Sequence, residues 1–317
     1  MSFPNMKRQR ELLKERLRSP NREDTSLTNE WSGEGSPAIY NLIKMKILVP
    51  IDFPGCALTA VRYAIGLAKT LNAKIEVLHT YHLPMASTDL THTVDLSAYE
   101  GYEEDCQERF EQLRLNIPEI NDIDTEFCVE VGLLRDRVDQ LIESKKVQAI
   151  VMGTTGTNGL LKTMFGSNAS AIAYHSNCPV ISIPEGHDST RLTNIVFATD
   201  LYVPNKTEDL DLLKRLADLY HAKVYILHIS KDPKSIDLDK SLETLNLEDY
   251  FKDISHEFSF LPGSEIDQGI SDFIESMNID MLAMRPGDHS WIEDLFGKSH
   301  TQRALAHTKI PMMTIHK

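Results

Sequence analysis

The 317-residue chain has only four cysteines, at positions 56, 106, 128 and 178. None forms a CxxC pair and no Cys/His spacing matches a zinc site, so disulfide-relay and structural-zinc chemistry are excluded as organising principles. Reduced thiols are the expectation. Nor is there a run of about 18 uninterrupted apolar residues, the length a spanning helix needs, and the N-terminus carries no apolar secretory core. A soluble cytoplasmic protein is expected, with no membrane partner. Positive charge is also short: 33 Lys plus Arg stand against 47 Asp plus Glu, a net charge of −14. That balance disfavours non-specific attraction to nucleic acid or anionic lipid, and no nucleic-acid partner is expected. Gly and Pro, 15 and 14 residues, are too few for a fibrous or low-complexity chain, while 41% hydrophobic residues suffice for packed cores.

The length leaves room for about two domains. Residues 1–44 hold 8 basic and 6 acidic groups, so the remainder carries 25 and 41. The stretch 7–22 reads as a frayed, charge-dense helix and 21–36 as a polar linker, which makes 1–44 a flexible extension ahead of the folded body.

The chief feature of that body is an internal repeat. KILVPID at 46–52 recurs as NIVFATD at 194–200, an offset of 148, and NAKIEVLHTY at 72–81 recurs as HAKVYILHIS at 221–230, an offset of 149. The segment from 151 to 167 recurs at an offset of 131, so the first unit is about 17 residues longer in its middle. Short Ile/Val/Leu runs alternate with longer amphipathic stretches, the pattern of parallel strands joined by covering helices. The runs predict strands at 46–51, 74–79, 125–131, 148–152 and 179–183, with helices at 57–71, 98–115, 133–145 and 167–175. The second unit repeats this with strands at 194–199, 223–228, 255–261, 280–284 and 311–315, and helices at 205–220, 240–252, 264–276 and 299–307. Right-handed crossovers make each unit a doubly wound α/β layer. The expected organisation is a domain at 45–184, a polar linker at 185–192 and a second domain at 193–317.

In such sheets ligands gather beyond the carboxyl ends of the strands, where the strand order reverses. Strand one ends in Asp52. Strand four runs into Gly153, with Gly156 following, then nine residues, then Gly166 and Ser167 at the start of an apolar helical pattern. Glycines let the backbone bring its N–H groups close to an anion, and a helix start adds free donors and a positive dipole end. The alternative is an ordinary turn at Gly153 and an ordinary cap at Gly166. Asp52 likewise has two readings, a turn or helix cap and an acceptor for a ribose hydroxyl.

With these residues the sequence resembles a tandem universal stress protein, with two UspA-like domains spanning 45–317. The resemblance implies a five-stranded parallel sheet covered by helices on both faces in each domain, an adenine nucleotide alpha hydrolase-like layout. ATP-binding members carry G-x2-G-x9-G-(S/T) after strand four, which Gly153, Gly156, Gly166 and Ser167 match, and an Asp at the end of strand one, which Asp52 matches. It therefore implies an adenine nucleotide, ATP with or without Mg2+, held by the first domain, and a regulatory or stress-response role. The family pairs such domains, so the two units are expected to pair within one chain, with a homodimer open.

The second unit departs from the motif. At the offset of 131, Met284 falls where Gly153 stands, Gly287 and Gly297 remain, and Lys298 replaces Ser167; Asp200 persists. Asp288, Glu293 and Asp294 add negative charge to the loop, so a nucleotide is not expected there. His79 and His228 recur at matching strand ends and are read as packing or ligand-contact residues, not as acid or base. No catalytic or metal-binding residue is assigned. The alternatives are an enzyme using the nucleotide, a slow ATPase or adenylyl-transfer relative with Lys162 reaching phosphate, and an interaction module with an empty cleft.

Overall fold

The computed structural model describes residues 44–53, 56–81, 101–144, 147–154, 172–173, 176–199, 201, 210–230, 238–263, 266–285 and 309–315. Residues from Lys44 onward form one compact unit. Its strands are β1 (Lys46–Pro50), β2 (Lys74–Tyr81), β3 (Thr125–Val131), β4 (Ala149–Thr154), β5 (Val180–Pro184), β6 (Asn194–Ala198), β7 (Lys223–Ser230), β8 (His256–Pro262), β9 (Met281–Met284) and β10 (Met312–Thr314). The helices are α1 (Cys56–Leu71), α2 (Tyr102–Asn116), α3 (Leu134–Glu143), α4 (Asp211–Tyr220), α5 (Leu238–Phe251) and α6 (Ile266–Ser276). A 3-10 stretch, Pro118–Asp122, precedes β3. All ten expected strands are present within two residues. The expected helices at 7–22 and 299–307, and most of the one at 167–175, lie outside the described residues.

One expectation is corrected. The two units do not form separate five-stranded sheets; they share one ten-stranded sheet of order β3-β2-β1-β4-β5-β10-β9-β6-β7-β8. Within each half every pairing is parallel, but β5 and β10 pair antiparallel, through Ser182 with Met312, Ile181 with Met313 and Val180 with Thr314. Each half ends in a strand whose far edge has no partner of its own, and joining the two satisfies both rows of backbone groups. Because that seam is antiparallel, the carboxyl ends of the strands in one half lie at the opposite sheet edge from those in the other.

Alternation along the strands sends successive residues to opposite faces. Ile47, Val49, Ile75, Val77, Ala149 and Val151 share a face with Ile195, Phe197, Val224, Ile226, Met281 and Ala283, and a single buried core runs across both halves there. Residues of α1, α2, α4 and α5 cover it. On the other face the cores are separate, one under α3 and one under α6. The helix layer thus helps join the halves on one side only.

Helix α1 shows how the sequence sets these elements. Ala60, Ala64, Leu67, Ala68 and Leu71 recur at helical spacing and are all buried. Asn72 then takes a left-handed φ of 51°, and the Ala73 amide reaches back 2.9 Å to the Ala68 carbonyl, the bond that closes a Schellman end. The second half repeats this at His221, φ 52°, with Ala222 donating to Ala217 at 2.8 Å. Other bonds recur too. Gln148 donates to the Lys46 carbonyl as Asp280 does to that of Asn194, and Ile150 to Pro179 as Leu282 to Pro311.

Those bonds fix the relation between β4 and β9. Ile47 pairs with Ala149 and Ile195 with Met281, so the strands correspond at an offset of 132, one more than the sequence offset taken through the loop. Arg285, not Met284, is therefore the counterpart of Gly153. Apolar residues precede the glycine in one half and the arginine in the other, so local similarity leaves the one-residue shift invisible; sheet register resolves it.

Candidate functional site

The order of the first half, β3-β2-β1-β4-β5, reverses between β1 and β4. At the carboxyl edge of that switch point stand Asp52, just beyond β1, and Gly153, near the end of β4. Asp52 is exposed, whereas Ile51 before it is buried. The carboxylate is therefore offered to solvent from a backbone anchored beneath. The Ile51 amide donates to the Leu78 carbonyl at 2.9 Å, which ties the turn to β2. Phe53, on the other side of Asp52, adopts a left-handed φ of 47°, a conformation disfavoured for a residue with a bulky side chain.

An aromatic and polar cluster from β2 and α2 packs against this turn. The ring of Phe53 lies 4.7 Å from that of His79 and 5.2 Å from that of Phe110, and the Arg109 guanidinium sits 5.3 Å from the Phe53 centroid. Nδ1 of buried His79 is 3.0 Å from the Ile51 carbonyl oxygen, and Nε2 is 3.1 Å from the Tyr102 hydroxyl. Tyr102 stacks at a tilt 4.6 Å from Tyr81. Burial raises the Tyr102 phenol above its ordinary range, Cys106 and the Asp52 carboxylate add to the rise, and Arg109 opposes it. The phenol thus stays protonated and able to donate.

The corresponding edge of the second half differs. His228 keeps its contact, with Nδ1 3.0 Å from the Thr199 carbonyl oxygen, and Leu201 repeats the left-handed backbone at φ 60°. Where the first half has Gly153, however, the second has the buried side chain of Arg285. A glycine has no side chain at this position, whereas an arginine brings a long, charged one.

Of the residues singled out in the sequence, the structure brings Asp52 and Gly153 to one edge. Gly156, Gly166, Ser167, Lys162, Asp200 and Lys298 lie outside the described residues. Repetition marks His79 and His228 in the sequence, but nothing there marks Phe53, Tyr102 or Arg109, because a ring beyond a strand end and a helix about 50 residues on carry no shared motif. Among the described residues no three His, Cys, Asp or Glu side chains converge on a position suited to a metal ion. No described helix is long and apolar enough to cross a membrane.

Comparison with known proteins bears on the same segment. Residues 45–184 match the universal stress protein family. A universal stress protein of Methanocaldococcus jannaschii is 28% identical over 149 residues, covering 45% of this chain and 83% of its own. A universal stress protein structure from Archaeoglobus fulgidus aligns with a TM-score of 0.62 at 19% identity, over 86% of this chain and 96% of that one. A protein of unknown function from Pseudomonas aeruginosa aligns with a TM-score of 0.53 at 13% identity, over 86% and 92%. These two likenesses establish the fold across both halves. Taken with the sheet order and the strand-end aspartate, the match over 45–184 identifies that segment as a universal stress protein domain.

Proposed function

We propose that this chain is an ATP-binding protein with a regulatory or stress-response role, and that its first domain holds the nucleotide. The observation that carries this reading is the meeting of Asp52 and Gly153 at the strand-order reversal, the position where open parallel sheets receive ligands. Asp52 is the acceptor for a ribose hydroxyl. Gly153 opens the run through Gly156, Gly166 and Ser167, whose main-chain amides and hydroxyl are the phosphate donors, with Mg2+ as counter-ion to the triphosphate. Asp52 and Gly153 fit such a ligand: an exposed carboxylate stands at the same sheet edge as a strand end without a side chain. We assign no catalytic residue, and the protein is read as a binder rather than an enzyme.

The segment 193–317 is read as a second, degenerate domain of the same family that completes the first by pairing with it. The recurring hydrogen bonds and the repeated strand order support that, and Arg285 in place of Gly153 argues against a polyphosphate held in the same way. The test is titration calorimetry of the full chain with ATP. One site per chain is expected, weakened at least about tenfold, a loss of roughly 1.4 kcal/mol, by Asp52→Ala and by Gly166→Ala. Absence of heat with ATP, ADP and AMP alike would withdraw the assignment.

A further inference from the structure

The carboxylate at the end of β1 is only as well placed as the three-residue turn that bears it, and that turn is held on both sides of Asp52 by one buried side chain. His79 is 4% exposed. Its Nδ1 meets the carbonyl of the residue before Asp52, and its ring packs on that of the residue after. A carbonyl oxygen has no proton to give, so Nδ1 carries the hydrogen, and in the neutral ring Nε2 accepts from the Tyr102 hydroxyl. Buried His79 has both nitrogens engaged, as a buried polar group requires. Left-handed Phe53 needs surroundings that over-determine it, and His79, Phe110 and Arg109 supply them.

The second half provides an independent instance. His228, 6% exposed, meets the Thr199 carbonyl at the same 3.0 Å, and left-handed Leu201 follows two residues later. Side chains around the two turns differ, Phe53 against Leu201 and Ile51 against Thr199. What persists is histidine to carbonyl, then the aspartate position, then a left-handed residue. Simple core filling would not preserve an imidazole-to-carbonyl bond while the neighbouring side chains change.

We propose that His79 is a positioning residue that presents the Asp52 carboxylate in one orientation to the ligand hydroxyl. The ligand in this proposal rests on the nucleotide reading above, whereas the hold on the turn does not.

The test uses the full chain, with His79→Leu to fill the space without a donor and His79→Asn to keep a donor near the Nδ1 position. In the ligand-free protein, His79→Leu is expected to speed hydrogen exchange at the Asp52 and Phe53 amides by about tenfold or more, with His79→Asn close to wild type. ATP affinity should fall by about tenfold or more in the first and be largely retained in the second. Unchanged exchange in His79→Leu overturns the proposal, and so does unchanged ATP affinity when the wild type binds. Faster exchange in a chain whose wild type binds no nucleotide would sink the nucleotide reading and leave the hold standing. Should His79→Leu fail to fold, the imidazole nitrogen spectrum of the wild type decides: a proton on Nδ1 and an accepting Nε2 are expected, and the reverse tautomer refutes the hold.

Discussion

The hydroxyls of Thr70 and Tyr220 lie 3.0 Å apart, joining the last turn of α1 to the last turn of α4. Beside them Arg215 donates from Nη2 to the Leu71 carbonyl at 2.9 Å, filling an acceptor that a helix end would otherwise leave open. The halves are therefore fastened in the helix layer as well as along the three-residue seam of the sheet. Tyr220→Phe and Arg215→Ala should each lower stability by about 1 kcal/mol, the usual worth of one such bond. Because the core on that face is continuous, urea unfolding of the full chain should remain one transition in both variants. Two resolved transitions, only one of them shifted, would show the halves to be independent.

The correspondence of Gly153 with Arg285 suggests an exchange. Gly153→Arg gives the first half the residue that the second already accommodates at the same register, so the fold should survive. Nucleotide binding should not. Calorimetry is expected to show ATP affinity reduced by about a hundredfold or lost, a cost near 2.7 kcal/mol or above, with an unchanged far-ultraviolet spectrum. Wild-type affinity in this variant would mean that phosphate is held elsewhere.

Burial pushes the Cys178 thiol up to about 12 from an ordinary value of 9.0. The thiolate is the reactive form, so native Cys178 should resist iodoacetamide at pH 8 and react only in denaturant, as peptide mass spectrometry would report. The same shift bears on stability. Between pH 9 and 12 the unfolded thiol ionises while the folded one keeps its proton, so stability falls as pH rises through that window, by at most about 1.4 kcal/mol per pH unit from this group. Ready labelling of the native thiol at pH 8 would contradict the buried placement.

Gly66 in α1 lies directly under the segment that joins the two halves. A Cβ there would come within 2.4 Å of Thr190 Cγ2 and 2.8 Å of its Oγ1. Alanine ordinarily favours a helix over glycine by about 1 kcal/mol, but overpacking of this kind costs about 1–3 kcal/mol. Gly66→Ala should therefore lower the melting temperature, and Thr190→Ala added to it should restore most of the loss. If Gly66→Ala raises the melting temperature instead, the segment is not docked there.

The strands were legible because Ile, Val and Leu runs buried on both faces have few other uses, and Val180–Pro184 falls within one residue of where its run puts it. The sheet seam was not legible: pairing of Ile181 with Met313 joins residues 132 apart through backbone groups that every sequence possesses. The site divides in the same way. Asp52 announces itself by position after an apolar run and recurs with the repeat. Phe53, Tyr102 and Arg109 converge only through the packing of α2 on the sheet, and a ring near a guanidinium leaves no trace in spacing. Met284 was matched to Gly153 through the loop, where lengths are free to vary, whereas the strand register that corrects it to Arg285 depends on hydrogen bonds to β6 and β10.

Joining β5 to β10 inside a single polypeptide also settles how the assembly responds to dilution. Two separate chains meeting along such an edge would come apart as their concentration fell, but here the encounter is intramolecular and its effective concentration is set by the short tether between the halves. The outermost strands left at either end, β3 and β8, carry Glu126 and Glu257 as exposed charges, which discourages a further copy from adding on. Width is thus set by the chain itself at the central seam, and the charged outer edges disfavour extension of the ribbon by strand addition.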